Sequence, residues 1–111
     1  MRDDKIRLLD ILDAIELLDK CLPVNKVLHQ LDELSFMGVV RCLEIIGEAC
    51  KYLSEDLKNK YPDVPWRQVA NMRNILAHQY FKVDITKVEK AVVEDIPKFK
   101  KQIQLILKSI G

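Results

Sequence analysis

Hydrophobic residues follow the three- and four-residue spacing of amphipathic helices along most of the chain. The pattern predicts a first helix over residues 4–22, which Pro23 ends, and a short helical segment over 25–33. The predicted buried face of the first helix is formed by Leu8, Ile11, Leu12, Ile15, Leu18 and Leu22.

A long second helix is predicted over residues 35–59, with Ser35 as its N-cap. Gly47 lies inside this helix, where glycine lowers helix propensity, so we expect a close approach of another helix at that point. The apolar stripe of the helix is formed by Phe36, Val39, Val40, Leu43, Ile46, Cys50, Leu53 and Leu57.

The remaining sequence predicts two more helices. One covers residues 66–79 directly after Pro65, and the other runs over 84–109 with Asp84 as its N-cap. Pro97 should kink or split the last helix. Its predicted buried face is formed by Val88, Val92, Ile96, Phe99, Ile103, Ile106 and Ile110. The pattern as a whole predicts an all-α, up-and-down bundle of four main helices plus a short one.

Length and composition agree with one folded domain over residues 1–111. Hydrophobic residues make up 49% and charged residues 32% of the 111, which excludes a disordered chain. Three glycines and four prolines are too few for the turns of an all-β domain. The N-terminus does not resemble a signal peptide and no apolar run would cross a bilayer, so we expect a cytoplasmic protein.

The formal net charge of +1 hides an asymmetry between the two halves of the chain. Residues 1–55 carry 7 basic and 11 acidic side chains (−4), and residues 56–111 carry 11 basic and 6 acidic side chains (+5). The basic segment that contains Arg67, Arg73 and Lys82 suits a polyanion as a partner, although solvated helices often show such charge asymmetry. The three cysteines and two histidines lack zinc-site spacing, so we expect no metal or other cofactor and buried, free thiols.

The predicted helix over 66–79 is unusual because its polar face lacks the glutamates and lysines of an ordinary solvated helix. Its core side is formed by Val69, Met72, Ile75 and Leu76, and a polar stripe on the other side by Arg67, Asn71, Asn74 and His78. Arg73 lies between these faces. Arg67, Asn71 and the later Lys82 are candidate RNA contacts, and Arg67 could equally be a solvated side chain.

Arg73 and His78 are five residues apart, which places them about 140° apart around a regular helix. Either the helix loosens near His78, or a second copy of the helix faces the first across a two-fold axis. Cleavage of RNA by internal attack needs a base for the 2′-hydroxyl, an acid for the leaving 5′-oxygen and a cation that stabilises the phosphorane. A dimer would supply two histidines and two arginines to one cleft.

The segment from Arg73 to Tyr80 resembles the Arg-x4-His-x-Tyr motif of HEPN-domain ribonucleases, in the branch of HepT-like toxins. Asn74, the polar residue after the arginine, belongs to that pattern. Residues 43–49, 65–67, 80–84 and 94–97 resemble family segments in the same order, so the resemblance covers nearly the whole chain.

The resemblance implies a helical homodimer with metal-independent endoribonuclease activity. It implies that Arg73 and His78 are catalytic. Asn74 either solvates the helix or supports the site by holding His78 in one orientation and tautomer. The resemblance further implies an antitoxin partner, a minimal nucleotidyltransferase of the MntA type, which transfers AMP to Tyr80.

Two other interpretations of the sequence stay open beside the toxin. The chain could be a non-catalytic helical module that binds a nucleotide or a nucleotidyltransferase and uses Arg73 and His78 only for anion contact. It could also be a structural dimer with a degenerate site, although the intact motif argues against this. Without the motif, Arg73 would be interpreted as an ion-pair partner of Glu44 or Glu48.

Overall fold

The computed structural model describes the backbone of residues 2–22, 28, 31–78 and 85–110, and the side chains of all of these except Arg2 and residues 74–78. All regular structure within those ranges is helical. The helices are α1 (Arg2–Cys21), α2 (Glu33–Lys51), α3 (Glu55–Lys60), α4 (Trp66–His78), α5 (Ile85–Lys90) and α6 (Ile96–Ile110). A π-helical turn, Ala91–Asp95, joins α5 to α6. The predicted all-α bundle is confirmed.

The predicted helix over 35–59 is wrong at both ends. Asp32, not Ser35, is the N-cap, and its carboxylate accepts a hydrogen bond from the Ser35 backbone N–H at 2.7 Å. This bond holds the pKa of the Asp32 carboxyl below its usual value. The helix stops at Lys51, and α3 begins after a new N-cap, Ser54.

The break between α2 and α3 is held by a contact from the start of the chain. The Ser54 hydroxyl accepts from the Leu57 backbone N–H at 3.1 Å and donates to the Asp4 carboxylate at 2.6 Å. The Ser54 backbone N–H also donates to Asp4, at 2.9 Å. Asp4 is only 3% exposed, so its buried carboxylate is satisfied by the residue that caps α3.

The last predicted helix is continuous from 85 to 110, but a π-helical turn interrupts its α-helical pattern directly before Pro97. The backbone N–H of Ile96 donates to the carbonyl of Ala91, five residues earlier, which is the π-helical pattern. Because Pro97 has no N–H, an α-helical bond to the Val93 carbonyl is impossible, and the wider turn precedes the proline. The predicted N-cap Asp84 lies outside the described residues, as does most of the predicted segment 25–33.

The core lies between α1, α2, α4 and the α5–α6 region. The described side chains of the predicted apolar faces are buried there, with Leu12, Leu22, Phe36, Met72 and Ile110 half-buried at its margin. Trp66 packs edge-on against Phe99 with ring centroids 6.1 Å apart, and its indole N–H donates to the Tyr61 carbonyl at 2.9 Å. For the described part of the chain, none of the helices combines the length and apolar character needed to cross a membrane.

Candidate functional site

Helix α4 (Trp66–His78) carries the candidate catalytic residues Arg73 and His78. It begins directly after Pro65, and Val69 is buried against the core. On the other side Arg67 and Asn71 are exposed to solvent, as the polar stripe predicts, and Arg73 is half-buried between the two sides. On α4, Arg67 is therefore exposed, and Arg73 lies at the edge between the buried and the exposed side.

Arg73 lies where α4 meets α2 at Gly47. A methyl group added to Gly47 would lie 2.7 Å from the Cβ of Arg73, 3.0 Å from the carbonyl oxygen of Val69 and 3.1 Å from the backbone nitrogen of Arg73. No side chain fits there, because two of these three atoms are backbone. The predicted close approach at Gly47 is confirmed, and it occurs at the motif arginine.

Glu44 is one of the two carboxylates weighed as ion-pair partners for Arg73. It contacts Arg41 on its own helix, with 3.4 Å between the guanidinium and the carboxylate oxygen. The Arg41 side chain is 64% exposed, so this pair contributes little to stability.

The backbone of α4 is α-helical from Trp66 to His78. Asn74 and His78 lie on this helix, but their side chains are outside the described part of the structure. Tyr80 and Lys82 also lie outside it. Positions 73 and 78 lie on this helix, and in ideal helical geometry they are separated by about 140° around its axis. In the described backbone, which reaches His78, α4 is not loosened.

A groove that the sequence did not reveal begins one helical turn from Arg73. It has a volume of about 510 Å³ and lies between α3, the end of α2 and the start of α4. Three cations, Lys51, Lys58 and Arg67, line it together with one carboxylate, Glu55. The sequence signal was faint because Lys51 and Lys58 are distant from the motif along the chain.

The thiols are free, as predicted, and two of the three are fully buried. The Cys50 thiol donates to the Trp66 carbonyl at 3.3 Å, and burial raises its pKa to about 11. Burial also raises the pKa of Cys42, and the neighbouring Cys21 thiol adds to that rise. Within the described ranges, no three His, Cys, Asp or Glu side chains group closely enough to hold a metal ion.

A helical bundle that carries an Arg-x4-His-x-Tyr sequence on a helix packed against a long central helix defines the HEPN class. The family model described as "Ribonuclease HepT-like" matches residues 11–106 of this chain. The chain therefore belongs to the HepT-like family, whose enzyme class is the HEPN-type endoribonuclease, and the resemblance based on the motif is confirmed.

Similar curated proteins bear names of the same kind. "Putative RNase MJ1380" of Methanocaldococcus jannaschii is 40% identical over 109 residues, covering 95% of this chain and 97% of that protein. "Probable ribonuclease HepT" of Thermococcus cleftensis is 39% identical over 110 residues, covering 96% and 98%. "Putative RNase MJ1216" of M. jannaschii is 47% identical over 73 residues, covering 66% and 60%. No solved structure matches the chain significantly.

Proposed function

We propose that this protein is a metal-independent endoribonuclease that acts as the toxin of a toxin–antitoxin pair. The observation that carries the proposal is the position of Arg73, which the close contact with Gly47 fixes at the edge of the helix that also carries His78. A guanidinium is a planar cation that can bind a phosphate through two donors. Family membership supports ribonuclease as the activity.

The reaction is transfer of the phosphate to the neighbouring 2′-oxygen of the RNA. The 2′-oxygen attacks the phosphorus while the bond to the 5′-oxygen of the next nucleotide breaks, which leaves a 2′,3′-cyclic phosphate and a 5′-hydroxyl. A neutral His78 takes the proton of the 2′-hydroxyl, and a protonated His78 supplies a proton to the leaving oxygen. Arg73 stabilises the negative charge of the pentacoordinate phosphorane. Asn74 holds His78 in one orientation and tautomer.

One histidine cannot act as base and acid in the same step, so the proposed active unit is a two-fold dimer. The helical α4 backbone supports this choice, since positions 73 and 78 lie about 140° apart around an ideal helix. Two α4 helices that face each other across a two-fold axis would place both histidines and both arginines around one cleft. A stable and fully active monomer would contradict the proposal.

The proposed antitoxin is an MntA-type nucleotidyltransferase that modifies Tyr80. The phenol oxygen attacks the α-phosphorus of ATP, pyrophosphate leaves, and the phenolic proton is released. Tyr80 lies seven residues after Arg73, so a continued helix would bring the attached phosphate to the side of the arginine. That phosphate could pair with Arg73 and occupy the place of the RNA phosphate.

The deciding experiment is RNA cleavage in EDTA by the wild type and by His78→Ala, with analysis of the product ends. Wild type should cleave and leave a 2′,3′-cyclic phosphate, and the His78→Ala variant should lose activity. Activity that disappears in EDTA and returns with magnesium would refute metal independence. A folded wild type that binds the nucleotidyltransferase or nucleotides and cleaves no RNA would identify the non-catalytic module instead.

A further inference from the structure

The groove between α3 and the start of α4 begins one helical turn from Arg73 on both helices that border it. On α4, Ala70 lines the groove and Arg73 lies one turn further on. On α2, Lys51 lines the groove and lies one turn after Gly47, the residue that packs closely against Arg73. The groove therefore lies next to the candidate active site.

Charge gives the groove a preference for anions. The carboxylate of Glu55 is 83% exposed at the rim, where water screens it. The Lys58 side chain is only 18% exposed, and its ammonium donates to the Lys51 carbonyl at 3.3 Å. The Lys58 ammonium also lies 3.8 Å from the Glu55 carboxylate, so these two charges offset each other, whereas Lys51 and Arg67 are exposed and can reach a ligand.

The aromatic residue of the groove argues against base recognition. Trp66 lines the groove but is 7% exposed, and its ring packs edge-on against Phe99. A base needs an open aromatic face to stack on, which a buried indole does not offer. The groove therefore offers cations for phosphates and no exposed platform on Trp66 for bases.

We propose that this groove binds the sugar–phosphate backbone of RNA next to the cleaved bond, through Lys51 and Arg67. The proposal rests on the proposed ribonuclease function and adds a backbone-binding track to it. Because phosphate contacts carry no sequence information, the track raises affinity for RNA of any sequence. It also makes binding dependent on salt, since each phosphate contact releases counterions.

The test measures RNA affinity against salt concentration with non-cleaving protein. Lys51→Gln, Arg67→Gln and the double variant are made in the His78→Ala background, and a single-stranded RNA of mixed sequence is the probe. Each single change should lower the slope of log affinity against log salt by about 0.7, and the double change by about 1.4. Two RNAs of different sequence should lose affinity equally.

Lys101→Gln is the matched control, because Lys101 is an exposed lysine on α6 away from the groove and its loss changes the net charge equally. Thermal unfolding confirms that all variants are folded. If the groove variants keep the slope of the control while wild type cleaves RNA, the groove proposal is wrong and the ribonuclease proposal stands. If wild type neither binds nor cleaves RNA, the ribonuclease proposal fails first. Groove variants that bind RNA normally but lose the nucleotidyltransferase would assign the groove to a protein partner and overturn the proposal.

Discussion

Gly47 faces Arg73 so closely that no side chain fits between them. The long central helix and the motif helix therefore meet at the proposed catalytic arginine. A Cβ at Gly47 would come within 2.7 Å of the Cβ of Arg73. Glycine inside a helix costs about 1 kcal/mol relative to alanine, but an alanine at this position would not fit. The contact ties the placement of the arginine to the packing of α2 on α4.

The first prediction is that Gly47→Ala destabilises the protein although alanine is the better helix former. The added methyl would push against the Arg73 Cβ and the Val69 carbonyl, and neither can move without its helix. We expect a loss of about 1–3 kcal/mol in the free energy of unfolding, measured with urea. RNA cleavage should fall as well, because the displaced helix carries Arg73.

Gly38→Ala is the matched control on the same helix. A methyl at Gly38 would meet the Cys21 sulfur at 3.4 Å, an ordinary contact distance. This variant should therefore keep only the gain in helix propensity, a stabilisation of up to about 1 kcal/mol. Equal effects of the two substitutions would show that the approach at Gly47 is not tight.

The second prediction concerns Asp4, which joins the first turn of α1 to the residue that caps α3. Asp4→Ala would leave the backbone N–H and the hydroxyl of Ser54 without their carboxylate partner in a partly buried position. We expect the free energy of unfolding to fall by about 1–3 kcal/mol. The exposed neighbour Asp3 is the control, and Asp3→Ala should stay within about 0.5 kcal/mol of wild type. Similar losses from both variants would contradict a specific role of Asp4.

The third prediction is a loss of stability in alkali that originates at Cys50. Burial raises the pKa of its thiol from 9.0 to about 11 in the folded protein. The unfolded chain therefore loses this proton first, so the contribution of the thiol is complete below pH 9 and is lost as the pH rises towards 11. The loss amounts to at most about 1.4 kcal/mol per pH unit.

Cys50→Ala isolates this effect from the titration of the other groups. Although the variant is less stable at neutral pH, its unfolding free energy should fall less steeply between pH 9 and 11 than that of wild type. Parallel curves for the two proteins would refute the assignment to Cys50.

The sequence predicts the fold well where local pattern decides. The buried faces of α1, α2 and α6 follow from hydrophobic spacing. Gly47 indicates the close approach of another helix, because glycine lowers helix propensity and its presence inside a helix needs another reason. Pro97 likewise predicts the interruption before α6, because the missing N–H is a property of the residue itself.

The break after Lys51 could not be predicted from local pattern. Ser54 caps α3 while it binds Asp4, a residue 50 positions earlier, so the end of α2 depends on a tertiary contact. The apolar stripe continues through Leu53 and Leu57 and thus imitates one long helix. The groove was missed for the same reason, since Lys51 and Lys58 join Arg67 only when the chain folds. The start of α2 at Asp32, by contrast, could be predicted locally, because its capping side chain lies three residues before Ser35.

The fourth prediction concerns the chemistry of Arg73. Arg73→Ala should reduce RNA cleavage about 10²–10³-fold in kcat, as the loss of an electrostatic stabiliser does. Arg73→Lys should recover little of this, because an ammonium lacks the planar pair of donors. Arg41→Ala, which removes an exposed arginine on α2, is the control and should cleave normally. Full activity in Arg73→Lys would mean that charge alone suffices at this position.

The last prediction is that Tyr80 is the point at which the antitoxin acts. Tyr80→Phe removes only the hydroxyl that would carry AMP, so the variant should remain an active ribonuclease and escape neutralisation. Co-expression with the nucleotidyltransferase, followed by intact-mass measurement, should show AMP on wild type and none on Tyr80→Phe. Tyr52→Phe is the matched control, since Tyr52 is a tyrosine with 56% of its surface exposed and should leave modification intact. If the phosphate of attached AMP occupies the proposed place beside Arg73, modified wild type should also bind RNA more weakly than unmodified protein. If the partner silences Tyr80→Phe as completely as wild type, neutralisation works by binding alone and the modification proposal is wrong.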